Sequence, residues 1–322
     1  MRGAFFVCKC CKICYNKNMK NMQNKNDNSI QQNSFLGEIT EAKASGLSFT
    51  FVLVFHLVLS FIFLLFLGAF EGEDIYLHGK YWLSPLAILL VTVAYFSITG
   101  KKFEIVAKKQ NCHAKYYIVA ILLQIGLFSL SELNGYFLAW LEKFGYQPQP
   151  IELPSMDGFG FVLVLFSIAV LPAVFEEIFF RGILLDGCKV FGNAGAVLLC
   201  GALFAVYHQN PAQTVYQFFC GAAFALMALR AGSILPTVFS HFVNNAVILI
   251  LTKFGVNGIP LPVAIPLLCV SGVCLIVSLA YLIFFDKKEQ EQKKGGKKQF
   301  LLGALGGIII CGISWVSALF MG

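Results

Sequence analysis

Phe175-Glu-Glu-Ile-Phe-Phe-Arg181 places two adjacent carboxylates and an arginine inside the apolar run 159–187. An apolar run of this length can cross a membrane as a single helix. Ionisable side chains at membrane depth cost about 2.5–3.5 kcal/mol each on insertion scales, and they are retained where a function needs them. The stretch therefore predicts a membrane-spanning helix that carries a functional site.

Helical spacing assigns different roles to the two glutamates. Glu177 and Arg181 are four residues apart, so they share one face of a helix and can form an ion pair that lowers the cost of burying both. Glu176 is rotated by about 100° from Glu177 and has no cation at pairing distance along the helix. We therefore expect Glu177 to be held structurally and Glu176 to be available for chemistry.

The composition is that of an integral membrane protein, because 58% of the residues are hydrophobic and only 13% are charged. Soluble domains have about 25% charged residues. Hydropathy predicts an all-α, polytopic helical bundle of nine transmembrane helices, or eight if one of the two short runs, 193–208 and 214–229, is re-entrant. The predicted spans are 47–70, 82–98, 116–141, 159–187, 193–208, 214–229, 234–251, 263–285 and 300–320.

The net charge of +7 indicates an orientation in the membrane and not an affinity for nucleic acid. If the N-terminus is cytoplasmic, twenty Lys and Arg residues lie on the cytoplasmic side, and the opposite side has Lys80, Lys143 and Lys253. Basic connections face the cytoplasm in membrane proteins. We therefore predict a multi-pass protein of the lipid bilayer with a cytoplasmic N-terminus, and we favour the plasma membrane of a bacterium.

Polar residues on three predicted helices fall at a similar depth. Counted at about 1.5 Å per residue, Glu176, His208 and His241 lie about 20, 22 and 17 Å from the cytoplasmic ends of their helices. Asn245 follows His241 by four residues and shares its helical face. We therefore expect these four side chains to form one site.

The residues around this site favour a cavity and close helix packing. Pro172, four residues before Glu176, can kink its helix and open backbone carbonyls toward a cavity. Small residues that let helices approach each other are Gly201, Ala202, Ala205, Gly221, Ala222 and Ala225. Five other polar residues have no partner at helical spacing and are left outside the predicted site: His56, Gln124, Glu132, Asn134 and Gln217.

The motifs Glu-Glu-x-x-x-Arg, Phe-x-x-x-His and His-x-x-x-Asn, in this order on successive apolar segments, resemble those of the CPBP family. This family comprises CAAX proteases, CAAX prenyl protease 2 among them, and bacteriocin-processing enzymes. The motif region covers residues 159–250. Every motif position matches: Glu176, Glu177, Arg181, Phe204, His208, His241 and Asn245.

The resemblance implies a helical core that encloses a water-filled cavity and acts as an intramembrane endopeptidase. By that resemblance, Glu176 with His208 activates the attacking water, and His241 with Asn245 stabilises the oxyanion. The supporting positions are Glu177, Arg181 and Phe204. The residue chemistry agrees, since a carboxylate removed from water is a stronger base, and an imidazole and a carboxamide can donate to developing negative charge. The expected substrate is a membrane-associated peptide or protein of CAAX type, or a bacteriocin or leader-like sequence.

Two alternatives stay open at this point. We favour a site without a cofactor, because His-Glu-x-x-His is absent and a carboxamide is a poor zinc ligand. The alternative is Zn held by Glu176, His208 and His241.

Buried carboxylates and imidazoles also build proton relays, so a transporter or proton-coupled carrier is the alternative function. A catalytically silent scaffold would be expected to have lost part of the motifs.

The sequence divides into four regions. They are a disordered cytoplasmic tail (1–45), three N-terminal transmembrane helices (46–141), a CPBP-like catalytic core (155–252) and two C-terminal transmembrane helices joined by a Lys-rich loop (261–322). Four tail cysteines, Cys8, Cys10, Cys11 and Cys14, match no common zinc spacing. A metal clip in the tail and a translation start at Met19 or Met22 are both left open.

Overall fold

The computed structural model describes residues 40–102, 112–149, 151–256, 260–286 and 295–320. The four tail cysteines and most of the Lys-rich loop lie outside these residues. The first helix begins at Glu41, because Thr40 caps it by accepting a hydrogen bond from the Lys43 backbone N–H at 3.3 Å. Residues 41–45, which the sequence placed in the tail, are therefore helical.

The described residues fold into helices joined by short connections. They are α1 (Glu41–Leu67), α2 (Asp74–Thr99), α3 (Lys115–Leu127), α4 (Leu130–Glu142), α5, α6 (Gly192–Tyr207), α7 (Thr214–Ala231), α8 (Leu235–Lys253), α9 (Leu261–Ala280) and α10 (Lys297–Phe320). Helix α5 runs through five consecutive segments: Phe159–Val164, Leu165–Val170, Leu171–Glu176, Glu177–Leu184 and Leu185–Cys188.

Eight helical segments of the described chain are long and apolar enough to cross a membrane, which confirms the predicted polytopic helical bundle. One of them, Phe159–Tyr207, has 49 residues, far more than the roughly 20 that one crossing needs. Gly192 turns the chain within it at a φ of +79°. Cys200 of α6 then packs against Phe180 of α5, with 3.3 Å between its Sγ and the Phe180 carbonyl oxygen. The segment thus contains both the fourth and the fifth predicted runs, folded back on each other.

Helix α5 alternates between α-helical and wider π-helical turns. The π segments are Leu165–Val170 and Glu177–Leu184, on either side of the α-helical segment that holds Pro172 and Glu176. Single π turns inside α-helices are found frequently at functional sites. Pro172, which we predicted to kink the helix, thus lies in a short α-helical segment between two wider ones.

Helices α6 and α7 pack at backbone contact through the predicted small residues. A Cβ atom on Gly201 would lie 2.9 Å from the backbone nitrogen of Ala222, and one on Gly221 would lie 2.9 Å from the Gly201 Cα. Such distances exclude any larger side chain without movement of a helix. The two glycines therefore set the spacing of the helices behind the site.

Lys101 joins three helices at one end of the bundle. It follows α2, and its ammonium lies 3.0 Å from Asp186 of α5 and 3.1 Å from Glu41 of α1. Burial lowers the pKa of the Lys101 ammonium, but the two carboxylates raise it by more, so this pKa lies above its ordinary value. Lys189 adds a second cation 3.1 Å from Asp186. The ion pairs fix the end of α5 that lies beyond the glutamates.

Candidate active site

The predicted pair of Glu177 and Arg181 is present and fully buried. Arg181 Nη1 donates to Glu177 Oε1 at 2.8 Å, and both side chains have no solvent exposure. Arg181 Nη2 also donates to the carbonyl oxygen of Gly221 on α7 at 3.3 Å, and the guanidinium lies 4.4 Å from the centre of the Phe204 ring. The arginine thus compensates the Glu177 charge and connects α5 to α6 and α7.

His241 of α8 lies between the two glutamates. Its Nδ1 is 2.9 Å from Glu177 Oε1, and its Nε2 is 3.9 Å from Glu176 Oε2. A carboxylate only accepts, so the Nδ1 proton points to Glu177 and the other edge of the ring turns toward Glu176. The sequence predicted Arg181 as the partner of Glu177, but the spacing on α5 gave no sign of this second partner on α8.

His208 stands at the end of α6 with its ring orientation fixed by the backbone. Its Nδ1 lies 2.8 Å from the Phe204 carbonyl oxygen, which can only accept a hydrogen bond. The Nδ1 therefore carries a proton, and the neutral ring keeps Nε2 as an acceptor. The Phe204 ring contacts both imidazoles, with centroids 4.8 Å from His208 and 6.1 Å from His241. This contact gives the motif phenylalanine a packing role between the two histidines.

Asn245 of α8 bonds to the backbone of α5. Its amide Nδ2 donates to the carbonyl oxygen of Ile168 at 3.0 Å. Ile168 lies in the π segment Leu165–Val170, and the residue four positions later, Pro172, has no N–H to offer to its oxygen. The Asn245 amide therefore supplies a donor to this backbone oxygen at the site.

A cavity of about 800 Å³ unites the four predicted catalytic positions, since Glu176, His208, His241 and Asn245 all line it. Glu176 is 8% exposed. Among the described residues, no donor forms a hydrogen bond with its buried Oε2 atom. Glu176 therefore lines the cavity and keeps a buried carboxylate oxygen with unused acceptor capacity.

Three of the polar residues left outside the predicted site in fact belong to it or support it. Asn134 and Gln217 line the cavity. Gln124 donates to Asn244 Oδ1 at 3.0 Å, and Asn244 donates in turn to Asn245 Oδ1 at 3.2 Å. The partner of Gln124 stands on another helix, so spacing within one helix gave no sign of it. His56 and Glu132 do not line the cavity.

Tyr216 and Asn244 also belong to this network, and the sequence analysis did not select either of them. The Tyr216 hydroxyl donates to Asn244 Oδ1 at 2.8 Å, and both residues line the cavity. Asn244 directly precedes Asn245 in the motif segment, which was the available signal. The network holds the Asn245 side chain from the side opposite Ile168.

The alternative zinc ligands do not form a ligand set in this arrangement. Within the described ranges, no group of three or more His, Cys, Asp or Glu side chains lies close enough to hold a metal ion. Glu176, His208 and His241 line one cavity but do not form such a group. The residues therefore do not fit a bound zinc ion as they stand, and no step below is assigned to one.

The fold and the site define a polytopic membrane protein with a carboxylate and two imidazoles around a buried cavity. Residues 158–247 match the family model described as Rce1-like, type II CAAX prenyl endopeptidase. The match includes all seven motif positions and confirms the resemblance that the sequence indicated. No curated protein and no solved structure matches the chain. The family match supports a CAAX-type intramembrane endopeptidase.

Proposed function

We propose that the protein is a membrane-embedded endopeptidase that hydrolyses a peptide bond of a membrane-associated peptide or protein in this cavity. One observation carries the proposal beyond the family match. Glu176 presents a buried carboxylate oxygen, without a hydrogen-bond donor among the described residues, 3.9 Å from the Nε2 atom of His241. A buried acceptor beside an imidazole in a cavity is the arrangement that general base catalysis needs.

Glu176 and His208 are the groups that activate water in this proposal. The Glu176 carboxylate accepts a proton from the water as its oxygen attacks the carbonyl carbon of the substrate. His208 lines the same cavity, and its Nε2 atom is a second acceptor because its Nδ1 proton is engaged by the Phe204 carbonyl. When the C–N bond breaks, the proton held by Glu176 passes to the departing amine. Proton transfer of this kind contributes typically 10²–10⁴-fold to a rate.

His241 and Asn245 are the proposed donors to the tetrahedral oxyanion. Because His241 Nδ1 donates to Glu177, donation from Nε2 requires the doubly protonated ring, for which Glu177 is the counter-charge. Asn245 uses one amide hydrogen on Ile168 and has a second one on the same nitrogen. Donors fixed in this way need no reorganisation when charge develops, which makes them effective in a water-poor site.

The substrate in this proposal is a CAAX-type or a leader-like segment, and the mechanism needs no metal cofactor. The test is cleavage of a quenched fluorescent peptide library by the full-length protein purified in detergent. Glu176→Gln is compared with Glu132→Gln, which makes the same chemical change at an exposed carboxylate that does not line the cavity. A third sample of the unaltered protein contains a strong zinc chelator.

The expected result is cleavage by the unaltered protein, by Glu132→Gln and in the presence of chelator, with none by Glu176→Gln. Full activity of Glu176→Gln would rule out Glu176 as the general base. Loss of activity with the chelator would favour activation of the water by a bound zinc ion over the metal-free mechanism. Proton-dependent flux through proteoliposomes without any peptide cleavage would favour the carrier.

A further inference from the structure

The cavity opens at one end of the helical bundle, which we name the mouth end. At this end α2 begins at Asp74, α5 begins at Phe159 and α8 ends at Lys253. The three ends meet through the connection before α5. The backbone N–H of Ser155 donates to Asp74 at 2.7 Å, and the Lys253 ammonium donates to the Met156 carbonyl.

Exposure of the lining residues shows the direction of opening. Ile151 lines the cavity at the mouth end and is 66% exposed, and Thr252, which lines it near the end of α8, is also exposed. Glu176 and His241, deeper in the bundle, are 8% and 6% exposed. Access to the glutamate therefore comes from the mouth end.

The opposite end of the bundle is filled with side chains. Below Glu176, α5 continues with fully buried residues, Phe179, Phe180, Arg181, Ile183 and Leu184. The α6 and α7 backbones are in contact there through Gly201 and Gly221. None of the residues that line the cavity comes from these stretches. The cavity is therefore closed toward that end, which we name the basic end.

Charge differs between the two ends. The described basic residues at the basic end are Lys43, Lys101, Lys102, Lys115, Lys189, Arg230, Lys297 and Lys298. Those at the mouth end are Lys80, Lys143 and Lys253, and they are outnumbered by the acidic residues Glu71, Glu73, Asp74, Glu132, Glu142, Glu152 and Asp157. An excess of Lys and Arg marks the cytoplasmic side of a membrane protein.

From the geometry and the charge together, we infer that the cavity opens on the side of the membrane away from the cytoplasm. Of the two substrate classes proposed above, this selects leader-like segments that are presented on that outer side over CAAX-type C-termini that are presented in the cytoplasm. This statement of substrate class rests on the proposed endopeptidase function. The side on which the cavity opens does not rest on it, because geometry and charge alone determine it.

The test labels single engineered cysteines in spheroplasts of a bacterial host that expresses the full chain. Ile151→Cys reports the mouth end, and Lys102→Cys, at an exposed position, reports the basic end. The reagent is a membrane-impermeant maleimide carrying a polyethylene glycol chain, so each adduct shifts the band on a gel. The unaltered chain provides the background from its native cysteines.

Ile151→Cys is expected to gain one adduct over the unaltered chain in intact spheroplasts, and Lys102→Cys only after permeabilisation. Three other results would overturn the inference: the reverse pattern, labelling of both variants in intact spheroplasts, and labelling of neither variant. Labelling needs no catalysis, so it separates the two proposals. A purified protein that cleaves no peptide would defeat the proposed function and leave the result on sidedness unchanged.

Discussion

Glu177 holds the imidazole of His241, because its Oε1 atom lies 2.9 Å from His241 Nδ1. The same oxygen accepts a hydrogen bond from Arg181 Nη1 at 2.8 Å. One carboxylate oxygen thus serves two partners on different helices. The second glutamate of the motif therefore does more than stabilise the arginine. It orients the ring whose other nitrogen faces Glu176.

Glu177→Gln is expected to lower kcat by at least about tenfold, which corresponds to about 1.4 kcal/mol of transition-state stabilisation. The amide keeps the shape of the side chain but removes the negative charge that holds the His241 ring. KM is expected to change little, because Glu177 does not line the cavity. Steady-state kinetics on a cleaved peptide checks this, and a rise in KM at constant kcat would contradict the orienting role.

Arg181→Ala is expected to destabilise the protein by about 3–5 kcal/mol, because it leaves the fully buried Glu177 carboxylate without its cation. The matched control is Glu152→Ala, which breaks the partly exposed pair between Lys80 and Glu152. Exposed pairs contribute about 0–1 kcal/mol. Thermal unfolding in detergent measures both variants, and similar melting curves for the two would argue against the buried pair.

Asn245→Ala is expected to lower kcat by about 10²–10³-fold if the amide donates to the oxyanion. The protein should also lose some stability, because the Ile168 carbonyl loses its donor. The separation of kcat from KM decides the role. A change in KM alone would assign Asn245 to substrate binding.

Pro172→Ala is expected to weaken catalysis without loss of stability. Alanine restores a backbone N–H and allows the π turn at Ile168 to rewind to an α turn, in which this N–H donates to the Ile168 carbonyl and the oxygen no longer depends on Asn245. Asn245 is then free to rotate away from the cavity, and kcat falls. Kinetics and thermal unfolding are measured on the same preparation. Unchanged kcat would show that the Ile168 contact does not position the amide.

Gly201→Ala is expected to destabilise the bundle by about 1–3 kcal/mol, the usual cost of overpacking. The added methyl group would push against the backbone of Ala222 on α7. Gly272→Ala on α9 is the control, since a Cβ there has no neighbour within 4 Å. Equal unfolding temperatures for the two variants would contradict backbone contact between α6 and α7.

Local spacing was sufficient to predict a large part of this site. The four-residue interval predicted the pair of Glu177 and Arg181, and counting residues along three helices predicted that Glu176, His208 and His241 reach one level. Both predictions depend only on the spacing of residues along a helix, which can be counted in the sequence. The same interval placed Asn245 on the helical face of His241, and the family resemblance added Phe204 to the same region.

Contacts between helices were the part that the sequence did not show. Gln124 reaches Asn244 from a position 120 residues away in the chain, and nothing in either local pattern indicates that distance. His241 likewise receives its second role from Glu177 on another helix. The sequence analysis left such residues outside the site because they had no partner on their own helix. A polar residue in an apolar helix usually has a partner on another helix, so this criterion was too strict.

The π segments of α5 affect how this helix can change over evolutionary time. Ser167 and Glu176 are nine residues apart, which on an uninterrupted α-helix would place them on opposite faces at about 100° per residue. Both nevertheless line the cavity, and Ser167 accepts from the Trp82 indole at 3.1 Å. The π turn between them changes the rotation about the helix axis, so that both residues reach the cavity. Deletion of a single residue from 165–170 would rotate the part of α5 before this segment relative to Glu176 and the rest of the motif, so natural variants should conserve the length of this segment more strictly than its side chains.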